Sequence, residues 1–436
     1  MAQARLVFPA DFRWGTATSA YQVEGNNKNS DWWQWEQQPG AILEGHQSGR
    51  ASDWWEKAEA DLRRAAEMGT NAHRLSLEWS RIEPQPSVFD EAALERYRAL
   101  LQTMHELDIE PMVTLHHFSN PQWLVEKGDF SSGIAVDYFQ RYTAKVVDRL
   151  GDLVPLWITI NEPLVYVFMR YIAGAFPPPQ RKGWGAGARA LRTLLRCHAA
   201  AYKTIKEKQP NAQVGVAKNM IPFDPVPVGT ILDRWWAGRV SWIYNDWWME
   251  AMQDGRLRLP FGRGEIDGLA GSFDFVGVNY YTRFYTRFPK LYLQQWGPDA
   301  IVSDGNYGEV YPEGLFRVIK HALRYQKPVY ITENGVPDRE DSLRPAFLLS
   351  HLREVWRGVS FNWPIMGYYH WSLVDNFEWD RGWTQRFGLL ALDRKTGERE
   401  WRSSARLYGE ICHSGSISSE MAQRYAPHLL TDLFPG

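Results

Sequence analysis

Cysteine is nearly absent from this chain. Cys197 and Cys412 are the only two in 436 residues, so no disulfide framework is available, and neither sits in a CxxC pair. A reducing, cytoplasmic setting is the simpler expectation. Long apolar runs are missing as well. No stretch reaches the ~18 residues that cross a bilayer, and Met1 to Phe12 lacks the basic and apolar regions of a signal peptide. Charge of one sign is also missing. Lys and Arg total 49 against 51 Asp and Glu, a formal net charge of −2. That balance gives neither the basic footprint of a nucleic-acid binder nor an acidic solvating tail. No GxGxxG or Walker pattern follows an early strand, and no linker-like or repeated segment divides the chain. Nucleotide, nucleic-acid and membrane partners are therefore not expected.

Aromatic side chains, by contrast, are plentiful. The chain holds 22 Trp, 20 Tyr and 20 Phe, 14% of its residues. Such content serves either a large core or a surface that stacks flat, weakly apolar rings such as sugars. Composition does not choose between them.

Short β-branched or aromatic runs recur, each followed by a polar loop and a long amphipathic stretch. Eight strands are expected near Phe12–Thr16, Asn71–Leu77, Glu110–Leu115, Pro155–Ile160, Gln213–Ala217, Phe273–Val278, Pro328–Thr332 and Met366–Trp371. Helices are expected at Trp54–Met68, with Asp53 as N-cap and Gly69 as stop, and at Glu91–Leu107, Ile134–Leu150, Ala188–Lys208 and Leu315–Tyr325. This alternation implies an α/β fold with parallel strands, either a closed (β/α)8 barrel or a doubly wound open sheet. Polar residues follow the strands: Gln22, Arg74, His117, Asn161–Glu162, Asn279–Tyr281, Glu333–Asn334 and Trp371. In a TIM barrel they converge on the C-terminal mouth, where the chemistry of such barrels lies. A single barrel with extended βα loops is thus expected over residues 1–414. Residues 415–436 would be an extension whose Ser419–Leu430 segment could be helical, interrupted by Pro427.

Two glutamates are placed alike. Glu162 lies in Thr159-Ile160-Asn161-Glu162-Pro163 after strand four, and Glu333 in Ile331-Thr332-Glu333-Asn334-Gly335 after strand seven. Each alone could merely cap the following helix. Facing each other across a barrel, they supply the pair that glycoside hydrolysis needs, one to protonate the leaving oxygen and one to attack or to activate water. The His116-His117 pair could suggest a metal. Adjacent strand residues point to opposite faces, however, and no third ligand is evident, so neither metal nor cofactor is expected.

These residues carry a resemblance to glycoside hydrolase family 1, the β-glucosidase family. Thr159–Pro163 and Ile331–Gly335 resemble its acid/base and nucleophile motifs. Phe12–Gly25, Arg74–Ile82, Gly277–Thr282, and Trp371–Trp379 with Arg386–Leu389 resemble further motifs in family order. The resemblance implies Glu162 as acid/base, Glu333 as nucleophile, and Arg74, Tyr281 and Asn279 as its support. It implies Asn161 at the sugar 2-hydroxyl, Gln22, His117, Glu378 and Trp379 at the 3-, 4- and 6-hydroxyls, and Trp371 beneath the ring. The activity implied is a retaining exo-β-glycosidase, foremost a β-glucosidase with β-galactosidase or β-fucosidase side activity. Its partner would be a small β-glycoside or oligosaccharide, and self-association is left open.

The chain also departs from that pattern. Phe118 stands where the family often has Trp, Ser119 where it often has Asp, Trp383 for Tyr, and Tyr369-His370 for a Phe pair. These departures bear on fine glycone preference and leave both glutamates in place. His116-His117-Phe118 is similar to the 6-phosphate branch, yet Glu378 occupies the clamp segment and would repel a phosphate. A receptor-like relative would have lost a carboxylate, and a myrosinase-like one would carry Gln at position 162; neither holds here. The Trp32, Trp33, Trp35, Trp54 and Trp55 cluster is expected in part to pack the first helix on the barrel rather than to bind sugar.

Overall fold

The computed structural model describes residues 4–178, 182–293, 296–297 and 299–435. Eight parallel strands pair in chain order and close on themselves. They are β1 (Arg13–Ala17), β2 (Ala72–Ser76), β3 (Glu110–His116), β4 (Leu156–Asn161), β5 (Gln213–Asn219), β6 (Phe275–Tyr280), β7 (Val329–Asn334) and β8 (Ile365–Trp371). The last joins the first through Gly367 to Arg13 and Trp371 to Ala17. The outer ring is α1 (Trp54–Glu67), α2 (Glu91–Glu106), α3 (Ala135–Leu150), α4 (Gly183–Lys208), α5 (Trp247–Asp254), α6 (Pro312–Ala322), α7 (Arg344–Ser360) and α8 (Ser403–Ser414). The closed barrel expected from the alternation is the one the chain forms, and its strands do not make the alternative open sheet.

Strand alternation explains the two apolar layers. One residue set (Ala72, Met112, Leu156, Ile158, Phe275, Tyr330, Tyr369) fills the barrel interior. The intervening set, including Leu75, Val113, Trp157, Val216, Val278 and Ile331, packs outward under the helices. Interior aromatics need small partners: a Cβ on Gly15 would lie 2.4 Å from the Tyr369 ring.

Several details differ from the sequence-based expectation. Strands β4 to β7 run one or two residues further at their C-terminal ends, so Asn161, Asn279, Glu333 and Asn334 belong to the strands rather than to loops. Asp53 precedes α1 but does not cap it. Its backbone is left-handed at φ 57° and its carboxylate pairs with Lys57 at 3.2 Å. Beyond β5 the chain adds a capped helix, Ile231–Ser241, and a three-stranded sheet of Phe223–Pro225, Phe284–Arg287 and Lys290–Leu293. Residues after Gly415 form strand Ser416–Ser418, antiparallel to Arg5–Val7, then helix Ser419–Tyr425 and two short turns. Ala426, just before Pro427, ends that helix, and Met421, Ala422 and Leu433 join the main core.

Candidate active site

Irregular register re-aims the last residues of three strands into the mouth. It shifts between Ile158 and Asn161 in β4, Val278 and Asn279 in β6, and Ile331 and Asn334 in β7. Such irregularities place side chains that strict alternation would send elsewhere. Gly335 lets β7 leave the barrel, since a Cβ there would lie 1.8 Å from the Trp371 carbonyl oxygen.

Arg74, fully buried on β2, organises the centre. Its Nη1 donates to Glu333 Oε1 at 2.5 Å and to the Thr332 carbonyl at 3.2 Å; Nη2 donates to Asn161 Oδ1 at 2.7 Å and Nε to Thr114 Oγ1 at 3.1 Å. The Tyr281 hydroxyl donates to Glu333 Oε2 at 2.6 Å. Burial pushes the Glu333 carboxyl above its ordinary value, while Arg74 and then Tyr281 pull it back.

Glu162 has a different environment. It stands at the N-cap position of the turn Pro163–Val167 without capping it, and its φ of 45° is left-handed. Its side-chain hydrogen bond comes from a neutral amide, Asn279 Nδ2, at 2.8 Å. Burial, and then the nearby Glu333 charge, push its pKa up to about 8. Asn279 touches both acids, because the same side chain also lowers Glu333 by hydrogen bonding. Thr332 donates to Asn279 Oδ1 at 2.7 Å, which fixes the amide's orientation. Of the two buried carboxyls, only Glu333 has a cation in hydrogen-bond contact, so the negative charge belongs on Glu333 and the proton on Glu162.

A polar rim surrounds this pair. Asn161 Nδ2 donates to His117 Nε2 at 3.1 Å. Burial, then Arg74, hold the His117 imidazole well below its ordinary pKa, so it is neutral with its proton on Nδ1. His117 lies nearly parallel to Trp371 at 5.9 Å and to Trp379 at 6.0 Å. Gln22 Nε2 donates to Glu378 Oε2 at 2.8 Å, and Asn376 Nδ2 donates to the same oxygen at 2.9 Å. Burial pushes the Glu378 carboxyl up to about 8, against those two donors. His116 diverges from His117: its Nε2 meets Asn120 at 3.0 Å and its ring packs on Phe130 and Tyr166.

The profile of Glycosyl hydrolase family 1 matches residues 4–416. The chain belongs to this family. A β-galactosidase of Pyrococcus woesei is 31% identical over 96% of this chain and 99% of that protein. Beta-glucosidase A of Acetivibrio thermocellus is 29% identical over 94% and 98%. Among solved structures, a beta-glycosidase from Pyrococcus horikoshii superposes with a TM-score of 0.90 at 35% identity, covering 97% of this chain and 98% of that one. This family 1 member is a glycoside hydrolase.

The eleven residues to which the resemblance gives roles lie in the barrel strands or in the segments that follow them, and all but Tyr281 are buried. The two asparagines beside the glutamates do not play matching parts. Asn161 faces the centre, whereas Asn334 ties β7 to its neighbours, donating to the Tyr280 carbonyl at 2.7 Å and accepting from Tyr368 at 2.9 Å. Among the departures, Phe118 packs edge-on against Trp379 at 5.2 Å. These two are the aromatic residues with left-handed backbone among the described residues, at φ 67° and 48°. Such conformations concentrate at functional sites, where packing holds them. Ser119 donates to Glu78 at 3.0 Å, and Trp383 donates to the Gln47 carbonyl at 3.0 Å, so both serve the wall. In the tryptophan cluster, Trp54 stacks on His73 under α1, while Trp32 packs on Trp379 at 4.8 Å.

Sequence reasoning missed Asn376, Asn219, Lys218, Tyr244 and Tyr307. Asn376 sat inside a recognised motif and could have been read from it. Lys218 left a plain signal, a charge within the apolar run Val214-Gly215-Val216-Ala217-Lys218-Asn219. Tyr307, packed on Tyr281 at 5.9 Å and Phe387 at 5.2 Å, comes from a long loop with no local pattern.

Proposed function

We propose that this protein is a retaining exo-β-glycosidase acting foremost on terminal β-D-glucosyl units. The observation that carries the reading is the unequal treatment of two buried glutamates joined by one asparagine. Glu333, ionised beside Arg74, attacks the anomeric carbon. Glu162, protonated, gives its proton to the departing glycosidic oxygen. In the second step the Glu162 carboxylate takes a proton from water, whose oxygen attacks the anomeric carbon and releases Glu333. Asn161 binds the 2-hydroxyl, Gln22, His117, Glu378 and Trp379 the outer hydroxyls, and Trp371 lies under the ring. Relatives named for both β-glucosidase and β-galactosidase activity support a shared β-glycoside substrate class. The buried free cysteines fit a reducing, cytoplasmic setting.

Proton NMR of the first-formed sugar tests the mechanism. Double displacement places the carboxyls about 5–5.5 Å apart and yields the β anomer first. An α anomer appearing first would mean that Glu333 is not the nucleophile. A panel of aryl β-glucosides, β-galactosides and cello-oligosaccharides ranks the substrates.

A further inference from the structure

Lys218 is fully buried on β5, and no ion pair of the described residues includes it. Its Nζ donates to the Asn219 carbonyl at 2.6 Å and lies 4.4 Å from the centre of the Tyr244 ring. A buried ammonium ordinarily needs a counter-charge. Two acids face it: Glu162 from the end of β4 and Asp246 from the turn before α5. Asp246 is committed elsewhere, to His321 at 2.5 Å, Tyr325 at 2.7 Å and Arg324 at 3.3 Å. Glu162 has no cation in hydrogen-bond contact.

Backbone pairing brings Lys218 and Glu162 together. Glu162 N donates to the Ala217 carbonyl at 2.8 Å, one residue before Lys218. Asn219, one residue after, stands in register with Asn279, whose amide donates to Glu162. Tyr244 donates to Asn219 Oδ1 at 2.6 Å, so the ring beneath the ammonium also orients that neighbour. The other charged or titratable groups facing Glu162 are Glu333, Arg74, Tyr281, Tyr307 and Tyr244. Arg74 is already held by Glu333 and Asn161. Lys218 is the cation left for Glu162.

We propose that Lys218 is a positioning residue for Glu162: its buried ammonium stabilises the carboxylate that forms when the leaving oxygen takes the Glu162 proton. The inference rests on Glu162 being the acid/base. When the glycosidic bond breaks, the Glu162 proton goes to the leaving oxygen and Lys218 faces a new negative charge. When water attacks, the proton returns to Glu162 and that attraction is released. Burial drives the Lys218 ammonium down to about 7, and Glu162, then Asp246, pull it up. Each of the pair therefore favours the other's charged form.

The test is the pH profile of kcat/KM for K218M and K218R beside the wild type. Without the cation, Glu162 holds its proton to higher pH. The alkaline limb of K218M should move up by about 1 pH unit, with K218R restoring the wild-type position. A K218M limb that coincides with wild type overturns the proposal. Linkage is reciprocal, so a second readout uses folded wild type and E162Q. With 15N-labelled lysine, the Lys218 Nζ midpoint should fall when the Glu162 charge is removed; an unmoved midpoint overturns the proposal even if K218M fails to fold. E162Q also separates the two readings. If E162Q keeps the alkaline limb, Glu162 is not the acid/base. If it loses the limb while neither Lys218 readout moves, only the role of Lys218 falls.

Discussion

Strand β7 delivers its glutamate to a cation, and strand β4 delivers its glutamate to an amide. Both side chains are buried, both open on the same mouth, and both touch Asn279. The difference lies in the remaining donors. Glu333 receives a guanidinium at 2.5 Å and a phenol at 2.6 Å, whereas Glu162 receives a neutral amide at 2.8 Å. Charge-assisted bonds are about twice as strong as neutral ones. Equal burial with unequal donors thus separates two identical carboxyls into an anion and an acid. Residue type alone would never distinguish them.

Removing the anion should have the largest effect. Glu333→Ala is expected to lower kcat by roughly 10⁴-fold or more. Azide should restore turnover and give the α-glycosyl azide, identified by NMR; a β product would reverse the two assignments. Next comes the acid. Glu162→Gln should cost about 10²- to 10⁴-fold on poor leaving groups and far less on nitrophenyl glycosides. Equal losses on both substrates would show that Glu162 does not protonate the leaving group.

The donors themselves can then be exchanged. Arg74→Met leaves a buried carboxylate without its cation, which should destabilise the fold by about 3–5 kcal/mol in denaturant titration. Glu333 must be ionised to attack, and loss of Arg74 raises its pKa, so the acid limb of kcat/KM should move to higher pH and narrow the profile. An acid limb that stays in place would place the control of Glu333 elsewhere.

The smallest effect concerns Glu378, a third buried acid that has amide donors alone. Its folded pKa of about 8 lies above the ordinary 4.5. Between those values the folded chain binds more protons than the unfolded chain, so this contribution to stability is present at low pH and is lost as pH rises toward 8. Glu378→Gln cannot titrate, and its Tm should decline less than the wild-type Tm between pH 5 and pH 9. Parallel declines would assign the slope to other groups.

The barrel was legible because both faces of each strand are buried, which writes short, nearly continuous apolar runs into the sequence. The paired glutamates were legible because each ends such a run. The strand ends were not. Asn279 and Glu333 look like loop residues locally, and only pairing with neighbouring strands extends β6 and β7 through them. Asp53 had the chemistry of a cap, yet its left-handed backbone and the nearby Lys57 took its carboxylate elsewhere. The small sheet joining Phe223–Pro225 to Phe284–Arg287 depends on contacts about 60 residues apart, beyond the reach of any local pattern.

Closure of the barrel between β1 and β8 has a meaning in time. Arg13 waits for Gly367, its partner across the seam. At ribosomal speeds of about 5–20 residues per second, the roughly 350 residues between them take on the order of 20–70 s to emerge. Throughout that interval one flank of β1 is a bare edge with unpaired amides and carbonyls, the kind of surface on which nascent chains stick to one another. Slowing translation shortly before residue 365 should therefore lower the yield of active enzyme more than the same pause placed after residue 371.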